Sequence, residues 1–287
     1  MKTVLFVVSE WGYWGEELVG PLEACERAGY KIEFVTPTGQ KPTCLQVSMD
    51  PNYIDPPLGR PVTSHEMADK VRSVVASSRL DSPISLKEWV PARAYPSSAT
   101  YLRDMEAYHE RVDAIVKKEL VKYDAMVIVG GSGALVDLAN NGRLHDLILG
   151  FVKLDKPIAA ECYGVSCLAF ARDIREKRSL LAGRHVTGHP LDYDYMDGTG
   201  FEGPHATDGS NTGFGNGWVN FGAPFYPLEY ILRDAVGPTG QFIGNVGHKT
   251  SVIVDYPFIT SRSTASSCEC GDVLVQVLEN GLERYGW

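Results

Sequence analysis

Short apolar runs that alternate with amphipathic segments constrain the fold of this chain most strongly. The run at residues 4–8 precedes a helical pattern at 16–28, in which Leu18 and Leu22 share one face and Gly29 follows as a helix-ending glycine. The alternation continues with strands predicted at 31–35, 125–129 and 158–160, and with helices at 103–123, 142–154 and 164–175. Such alternation predicts an α/β fold, a doubly wound and mostly parallel sheet with helices on both faces.

Two long stretches interrupt the alternation. Residues 41–99 are rich in proline and show a helical pattern only near 64–75, and residues 192–225 are rich in glycine and aromatic residues. Segments of this length are too long for idle connections, and aromatic residues are scarce in disordered chains. We therefore predict one domain over 1–287 with two insertions, a cap at about 41–99 and a pocket loop at about 192–225.

Composition excludes several classes of protein. The formal net charge is −9 with a pI near 5.3, so the summed field repels nucleic acid and anionic membrane surfaces. No apolar run approaches the ~20 residues that a membrane span needs, and the first run stops at Ser9, too early for a signal-peptide core. The six cysteines are irregularly spaced, unlike a disulfide framework. We expect a cytoplasmic protein without nucleic-acid or membrane partners.

The segment at residues 157–170 is typical of a strand, a sharp turn and a helix. Cys162 stands at the turn, where a side chain lies at the carboxyl edge of the sheet above the N–H groups of the next helix. The helix dipole favours a thiolate there, so we predict that Cys162 is an exposed nucleophile with a lowered pKa. The alternative is a buried cysteine that packs as a small apolar residue.

Several separated motifs resemble the ThiJ/PfpI superfamily, which consists of flavodoxin-like relatives of class I glutamine amidotransferases. The resemblance rests on the acidic pair before Pro21 in the first helix, the glycine turn at 130–133, the elbow at 159–164, the histidine segment at 186–191 and the closing segment at 259–263. It covers most of the chain outside the two insertions. The long first insertion resembles the cap of the larger members.

The resemblance implies roles for particular residues. Cys162 corresponds to the nucleophile and Glu17 to the carboxyl group beside it; Glu16 competes for this position, but its spacing to Pro21 is one residue too long. A glutamic acid beside a thiolate must be protonated, because two anions in one dry site repel. Alternatively, Glu17 is an exposed helix N-terminal carboxylate. Gly131 and Tyr163 would offer backbone N–H groups to an oxyanion, although Gly131 serves equally well as a turn glycine.

The chain departs from the family at the residue after the elbow cysteine. The glyoxalase III, chaperone and peptidase-like members have histidine there, and this chain has Tyr163. A triad built on adjacent residues is thus not available, and the resemblance makes His189 the best substitute base, ahead of His205 and His248; the alternative is a structural histidine. Cys268 and Cys270 fit packing better than a zinc site, and we expect neither metal nor cofactor.

These residues predict a cysteine-dependent enzyme. Cys162 would attack a small carbonyl, isonitrile or amide-like substrate while Glu17 shuttles the proton, as in a glyoxalase III-like lyase, a hydratase or a hydrolase. The alternative is a redox sensor or holding chaperone that uses oxidation of Cys162. The resemblance also implies a homodimer.

Overall fold

The strands and helices alternate along the chain much as the apolar pattern predicts. The computed structural model describes residues 1–55, 57–173, 177–194 and 227–287. The strands in chain order are β1 (Thr3–Val7), β2 (Lys31–Thr36), β3 (Ile54–Asp55), β4 (Arg60–Pro61), β5 (Ile84–Ser85), β6 (Ala125–Ile128), β7 (Ile158–Glu161), β8 (Arg172–Asp173), β9 (Arg178–Ser179), β10 (His185–Val186), β11 (Gln241–Phe242), β12 (Val252–Asp255), β13 (Phe258–Ser261) and β14 (Arg284–Tyr285). The α-helices are α1 (Gly15–Arg27), α2 (His65–Ala76), α3 (Leu86–Trp89), α4 (Tyr101–Lys118), α5 (Gly133–Asp137), α6 (Gly142–Lys153), α7 (Ser166–Phe170), α8 (Leu228–Val236) and α9 (Ser267–Asn280).

The central sheet is mostly parallel. Within the described residues it contains eight strands in the order β14-β12-β13-β7-β6-β1-β2-β5. β1 pairs in parallel with β2 and β6, and β7 pairs in parallel with β6 and β13. Antiparallel pairing of β12 with β13 and β14 completes one edge. The predicted α/β, doubly wound and flavodoxin-like fold is confirmed.

Both faces of the sheet are buried, because successive strand side chains point in opposite directions and helices cover each side. One core contains strand residues and the helices α6, α7 and α8, including Leu5, Ile128, Ala160, Ile148, Leu168 and Leu232. The other contains the alternate strand residues with α1 and α9, including Phe6, Val127, Ala159, Leu18, Leu22 and Leu274. The second face therefore holds α1 directly against the strands that carry the predicted nucleophile.

Part of the first predicted insertion joins the central sheet. The helical pattern near 64–75 corresponds to α2, and the hairpin of β3 and β4 lies before it. After α2, however, Ile84 of β5 pairs with Val35 of β2 in the central sheet, so this part of the segment belongs to the sheet. The second predicted insertion, 192–225, lies outside the described residues except for 192–194.

The helix predicted at 164–175 is wrong in its length. A 3₁₀ turn at Cys162–Val165 leads into α7, which ends at Phe170. The chain then forms an antiparallel hairpin in which Arg172 pairs with Ser179. The Ser179 hydroxyl is buried and donates to the Ala169 carbonyl at 3.2 Å, so tertiary pairing ends the helix early.

Parallel strands bring their carboxyl ends to one edge of the sheet. The glycine turn at 130–133 follows β6, Cys162 follows β7, and Arg262 follows β13 at this edge. Open α/β sheets bind ligands at this position. None of the helices in the described ranges has the length and apolar character needed to cross a membrane.

Candidate active site

Cys162 occupies a strained turn between β7 and the following 3₁₀ turn. Its φ is 49°, a left-handed conformation that non-glycine residues adopt rarely and that is common at functional sites. The residue is only 5% exposed, so the prediction of an exposed side chain is wrong. Its neighbours are nevertheless polar, because an imidazole, a carboxyl group and backbone N–H groups surround the sulfur.

His189 lies beside the thiol. Its Nδ1 atom is 3.4 Å from Cys162 Sγ, and its Nε2 atom is 3.2 Å from Oδ1 of the buried Asp194. An ionised carboxylate only accepts hydrogen bonds, so it favours the tautomer that carries its proton on Nε2. The Nδ1 lone pair then faces the thiol and can accept its proton.

Asp194 is the site residue that the sequence analysis missed. It lies at the start of the aromatic-rich segment, five residues after His189, and a 3₁₀ turn at Leu191–Tyr193 brings it back to the imidazole. Asp192 is closer in sequence, three residues after His189. The pattern of residues gives no reason to prefer either aspartate without the geometry of that turn.

Glu17 contacts the other side of the same site. It lies in the first turn of α1 and is 1% exposed, so it is not the exposed helix N-terminal carboxylate of the alternative. Burial raises the pKa of Glu17 to about 8, while the Cys162 thiol and the Gly131 backbone act in the opposite direction. The carboxyl group is therefore mostly protonated at neutral pH.

Glu16 points elsewhere. Its Oε2 accepts a hydrogen bond from the Thr264 hydroxyl at 2.8 Å, and burial raises the pKa of Glu16 to about 7. The structure thus places Glu17, rather than Glu16, against Cys162.

The backbones of Gly131 and Tyr163, the predicted oxyanion donors, lie next to Cys162. The backbone N–H groups of both residues are close enough to the sulfur to lower the pKa of the Cys162 thiol. Gly131 has a φ of 96°, and a Cβ there would be 2.4 Å from the backbone nitrogen of Trp14. Position 131 thus needs glycine for its conformation and for close packing.

The predicted lowering of the Cys162 pKa is wrong. Burial raises the pKa of the thiol well above its usual range, and Glu17 raises it further at the alkaline pH where this carboxyl is ionised. The N–H groups of Tyr163 and Gly131 oppose this rise without reversing it. One 3₁₀ turn and the five-residue α7 carry too small a dipole to outweigh burial. The resting site therefore contains a neutral thiol and needs a base.

The first insertion reaches the site through its hairpin. Burial raises the pKa of Asp55 on β3, and this carboxyl lies near enough to His189 for a positive charge on the imidazole to oppose the rise. Next to the glycine turn, Trp14 packs against Leu45, Val47 and Tyr53 of the first predicted insertion. Asp55 of this insertion therefore lies on the side of the site that holds the imidazole.

Arg262 holds the loop before β12 next to the segment that carries His189. It is 1% exposed and its guanidinium donates to four backbone carbonyls in the loop before β12, those of residues 244, 245, 248 and 249. The guanidinium carbon lies 5.4 Å from the ring centre of Tyr193, which in turn meets His189 edge-on at 6.0 Å. This buried cation thereby supports the segment that carries His189 and Asp194.

The remaining candidates lie away from the thiol or outside the described residues. His248 is exposed, and His205 falls in the part of the chain that is not described. Cys270 is buried in α9 and Cys268 is exposed on the same helix. Among the described residues, no group of three or more His, Cys, Asp or Glu side chains is arranged to hold a metal ion.

Comparison with known proteins identifies the family. A family model described as ThiJ/PfpI family-like matches residues 8–180, which include Glu17, the glycine turn and Cys162. The chain belongs to this family. The ThiJ/PfpI match ends before His189 and Asp194, so it does not cover the imidazole or its carboxylate neighbour.

A sequence relative and several solved structures are similar to this ThiJ/PfpI protein. A stretch of 81 residues is 40% identical to a Bos taurus glutamine amidotransferase-like class 1 domain-containing protein 1, covering 28% of this chain and 36% of the length of that relative. The rapid encystment protein of Francisella tularensis has a TM-score of 0.63 at 20% identity over 97% of this chain and 99% of that one. Glyoxalase III from Candida albicans has a TM-score of 0.59 at 14% identity, covering 97% and 98% of the two chains. At these identities the structural likeness shows a shared fold.

Proposed function

We propose that this protein is a cysteine-dependent enzyme that acts on a small electrophilic substrate, a carbonyl, isonitrile or amide-like compound. The observation that carries the proposal is the 3.4 Å contact between Cys162 Sγ and His189 Nδ1, with the protonated Glu17 beside the same sulfur. Nucleophile, base and acid are then three separate groups. This arrangement is the one that addition of a thiol to an electrophilic carbon requires.

In the first step the thiol proton moves to His189 Nδ1 as sulfur bonds to the substrate carbon. Because the pKa of Cys162 is raised, this transfer accompanies attack instead of preceding it. The electron pair of the carbonyl moves to its oxygen, which the N–H groups of Gly131 and Tyr163 stabilise by ~3 kcal/mol each. Glu17 supplies a proton to that oxygen and receives one back later in the cycle.

The substrate decides how the adduct resolves. With a 2-oxoaldehyde, the product of addition is a hemithioacetal, whose carbon-bound proton moves to the neighbouring carbonyl carbon and leaves a thioester. Water cleaves the thioester to a 2-hydroxy acid and restores the thiol, which is a glyoxalase III-type lyase reaction. An isonitrile would give a thioimidate that water hydrates, and an amide or ester would give a thioester by loss of the amine or alcohol.

We favour the lyase or hydratase reaction over redox sensing. The fold is shared with a glyoxalase III, and the thiol is neutral and buried, whereas sensor cysteines are exposed thiolates. Selective oxidation of Cys162 by mild peroxide, without turnover of any electrophile, would support the sensor or holding chaperone instead. The predicted homodimer is a part of the same proposal, and sedimentation analysis of the full chain tests it.

The decisive experiment measures turnover of methylglyoxal, an isonitrile, an amide and an ester by the wild type, Cys162→Ala and Cys268→Ala. Cys268 is an exposed cysteine on α9, so its substitution is the matched control. We expect activity on at least one substrate, a loss of roughly 10³-fold or more in Cys162→Ala, and unchanged activity in the control. Undiminished activity of Cys162→Ala would overturn the proposal.

A further inference from the structure

The side chain of Tyr163 makes contacts that the proposed reaction does not use. Its ring stacks on the imidazole of His189, with 4.5 Å between the ring centres and 30° between the planes. Its hydroxyl donates a hydrogen bond to Asp194 Oδ1, the same oxygen that lies 3.2 Å from His189 Nε2. One residue therefore touches both the base and the carboxylate behind it.

We propose that the Tyr163 side chain is a positioning residue that fixes the orientation and the tautomer of His189. The catalytic consequence rests on the proposed function, but the positioning itself does not. Stacking holds the plane of the imidazole so that Nδ1 stays directed at Sγ. The hydroxyl keeps Asp194 Oδ1 in place as an acceptor, which requires the imidazole proton to be on Nε2.

Charge and burial explain why such support is needed. Asp194 is buried, and its Oδ2 atom has no hydrogen-bond partner in the described part of the chain. A buried carboxylate with few partners is costly and free to rotate towards any donor. The phenol donor stabilises its charge and selects one rotamer, the rotamer that faces His189.

The same contacts explain how this chain works without a histidine after the elbow. The Tyr163 hydroxyl is bonded to Asp194 on the Nε2 side of the imidazole, whereas the thiol lies on the Nδ1 side. The phenol is therefore not directed at the sulfur and cannot replace the missing base. Position 163 instead supports a base that comes from the segment after β10.

The test uses Tyr163→Phe, which keeps the ring and loses the donor, and Tyr163→Leu, which loses both. Tyr285→Phe is the matched control, because that exposed hydroxyl also donates to a carboxylate, Glu269 Oε1 at 2.6 Å. Two readouts need no turnover: the ¹⁵N chemical shifts of His189, which report its tautomer, and the alkylation rate of Cys162 by iodoacetamide at pH 7.

We expect Tyr163→Phe to move His189 from the Nε2–H towards the Nδ1–H tautomer and to slow Cys162 alkylation about 10-fold. Tyr163→Leu should slow Cys162 alkylation about 100-fold. The accompanying loss of turnover should lie in kcat more than in KM. If Tyr163→Phe leaves the tautomer and the alkylation rate as in the control, the inference is wrong. If Cys162→Ala retains full turnover while the tautomer still shifts, the proposed function fails and the positioning role stands.

Discussion

The substitution Gly130→Ala tests how tightly the thiol and the acid are packed. A Cβ at position 130 would lie 2.2 Å from Glu17 Oε2, 2.4 Å from the Glu161 carbonyl oxygen and 2.8 Å from Cys162 Cβ. Optimal contacts between heavy atoms are about 3.5 Å, so these groups must retreat by roughly 1 Å. Gly130 does not have a positive φ, which makes the effect a steric one.

The size of the effect follows from that displacement. Overpacking of a buried site costs about 1–3 kcal/mol of the free energy of unfolding. A 1 Å misplacement of a reacting group costs roughly 100-fold in rate. We therefore expect a modest loss of stability in urea denaturation together with a loss of about two orders of magnitude in Cys162 alkylation and in turnover.

Gly142→Ala is the matched control, because a Cβ there has no neighbour closer than 3.6 Å and lies at the first residue of α6. Alanine in a helix is favoured over glycine by roughly 0.5–1 kcal/mol, so this variant should be as stable as the wild type or slightly more so. Full reactivity of Cys162 in Gly130→Ala would refute the packing of Glu17 against the thiol.

Three further predictions follow from the site. The pKa of Glu17 rises from 4.5 to about 8 on folding, so between these values the folded protein keeps a proton that the unfolded chain loses, and the free energy of unfolding falls as the pH rises. Glu17→Gln lacks this proton, so its free energy of unfolding in urea should rise relative to that of the wild type by about 1.4 kcal/mol per pH unit between pH 5 and 8. A difference between the two proteins that stays constant over this range would contradict the prediction. Asp194→Asn should lose roughly 10²–10⁴-fold in turnover with an unchanged circular dichroism spectrum, whereas wild-type turnover would exclude Asp194 from the mechanism. Because Cys162 is nearly buried, it should discriminate against a bulky reagent. The ratio of its modification rate with iodoacetamide to that with N-phenylmaleimide should be at least about 10-fold higher than the same ratio at the exposed Cys268. Equal ratios at the two cysteines would show that the Cys162 thiol is accessible to large reagents.

Local patterns were sufficient to predict the scaffold of the site. The apolar runs before the glycine turn and before Cys162 are strands because each is buried on both faces, and adjacent parallel strands bring their ends together. Glycine at position 131 and the acidic pair before Pro21 are also local signals. Their placement beside Cys162 came from the resemblance to the ThiJ/PfpI superfamily, and the order of the strands and the packing of α1 on the sheet account for it.

The features that the sequence could not predict depend on contacts between residues that are distant in the chain or joined by irregular turns. Asp194 reaches His189 through a turn whose geometry is not encoded in a residue pattern, and the pKa of Cys162 depends on how deeply the surrounding segments bury it. The early end of α7 at Phe170 likewise depends on the hairpin that buries Ser179. In each case a tertiary contact outweighs a local preference.

The most direct test of the account is the pH dependence of Cys162 alkylation in the wild type and in His189→Gln. Peptide mass spectrometry follows Cys162 and the exposed Cys268 in the same sample, so Cys268 is the internal control. If His189 accepts the thiol proton, the variant should react at least about 10-fold more slowly at pH 7, with its rise in reactivity displaced to alkaline pH, while Cys268 is unchanged. Superimposable Cys162 profiles for the two proteins would contradict the central claim that this imidazole activates this thiol.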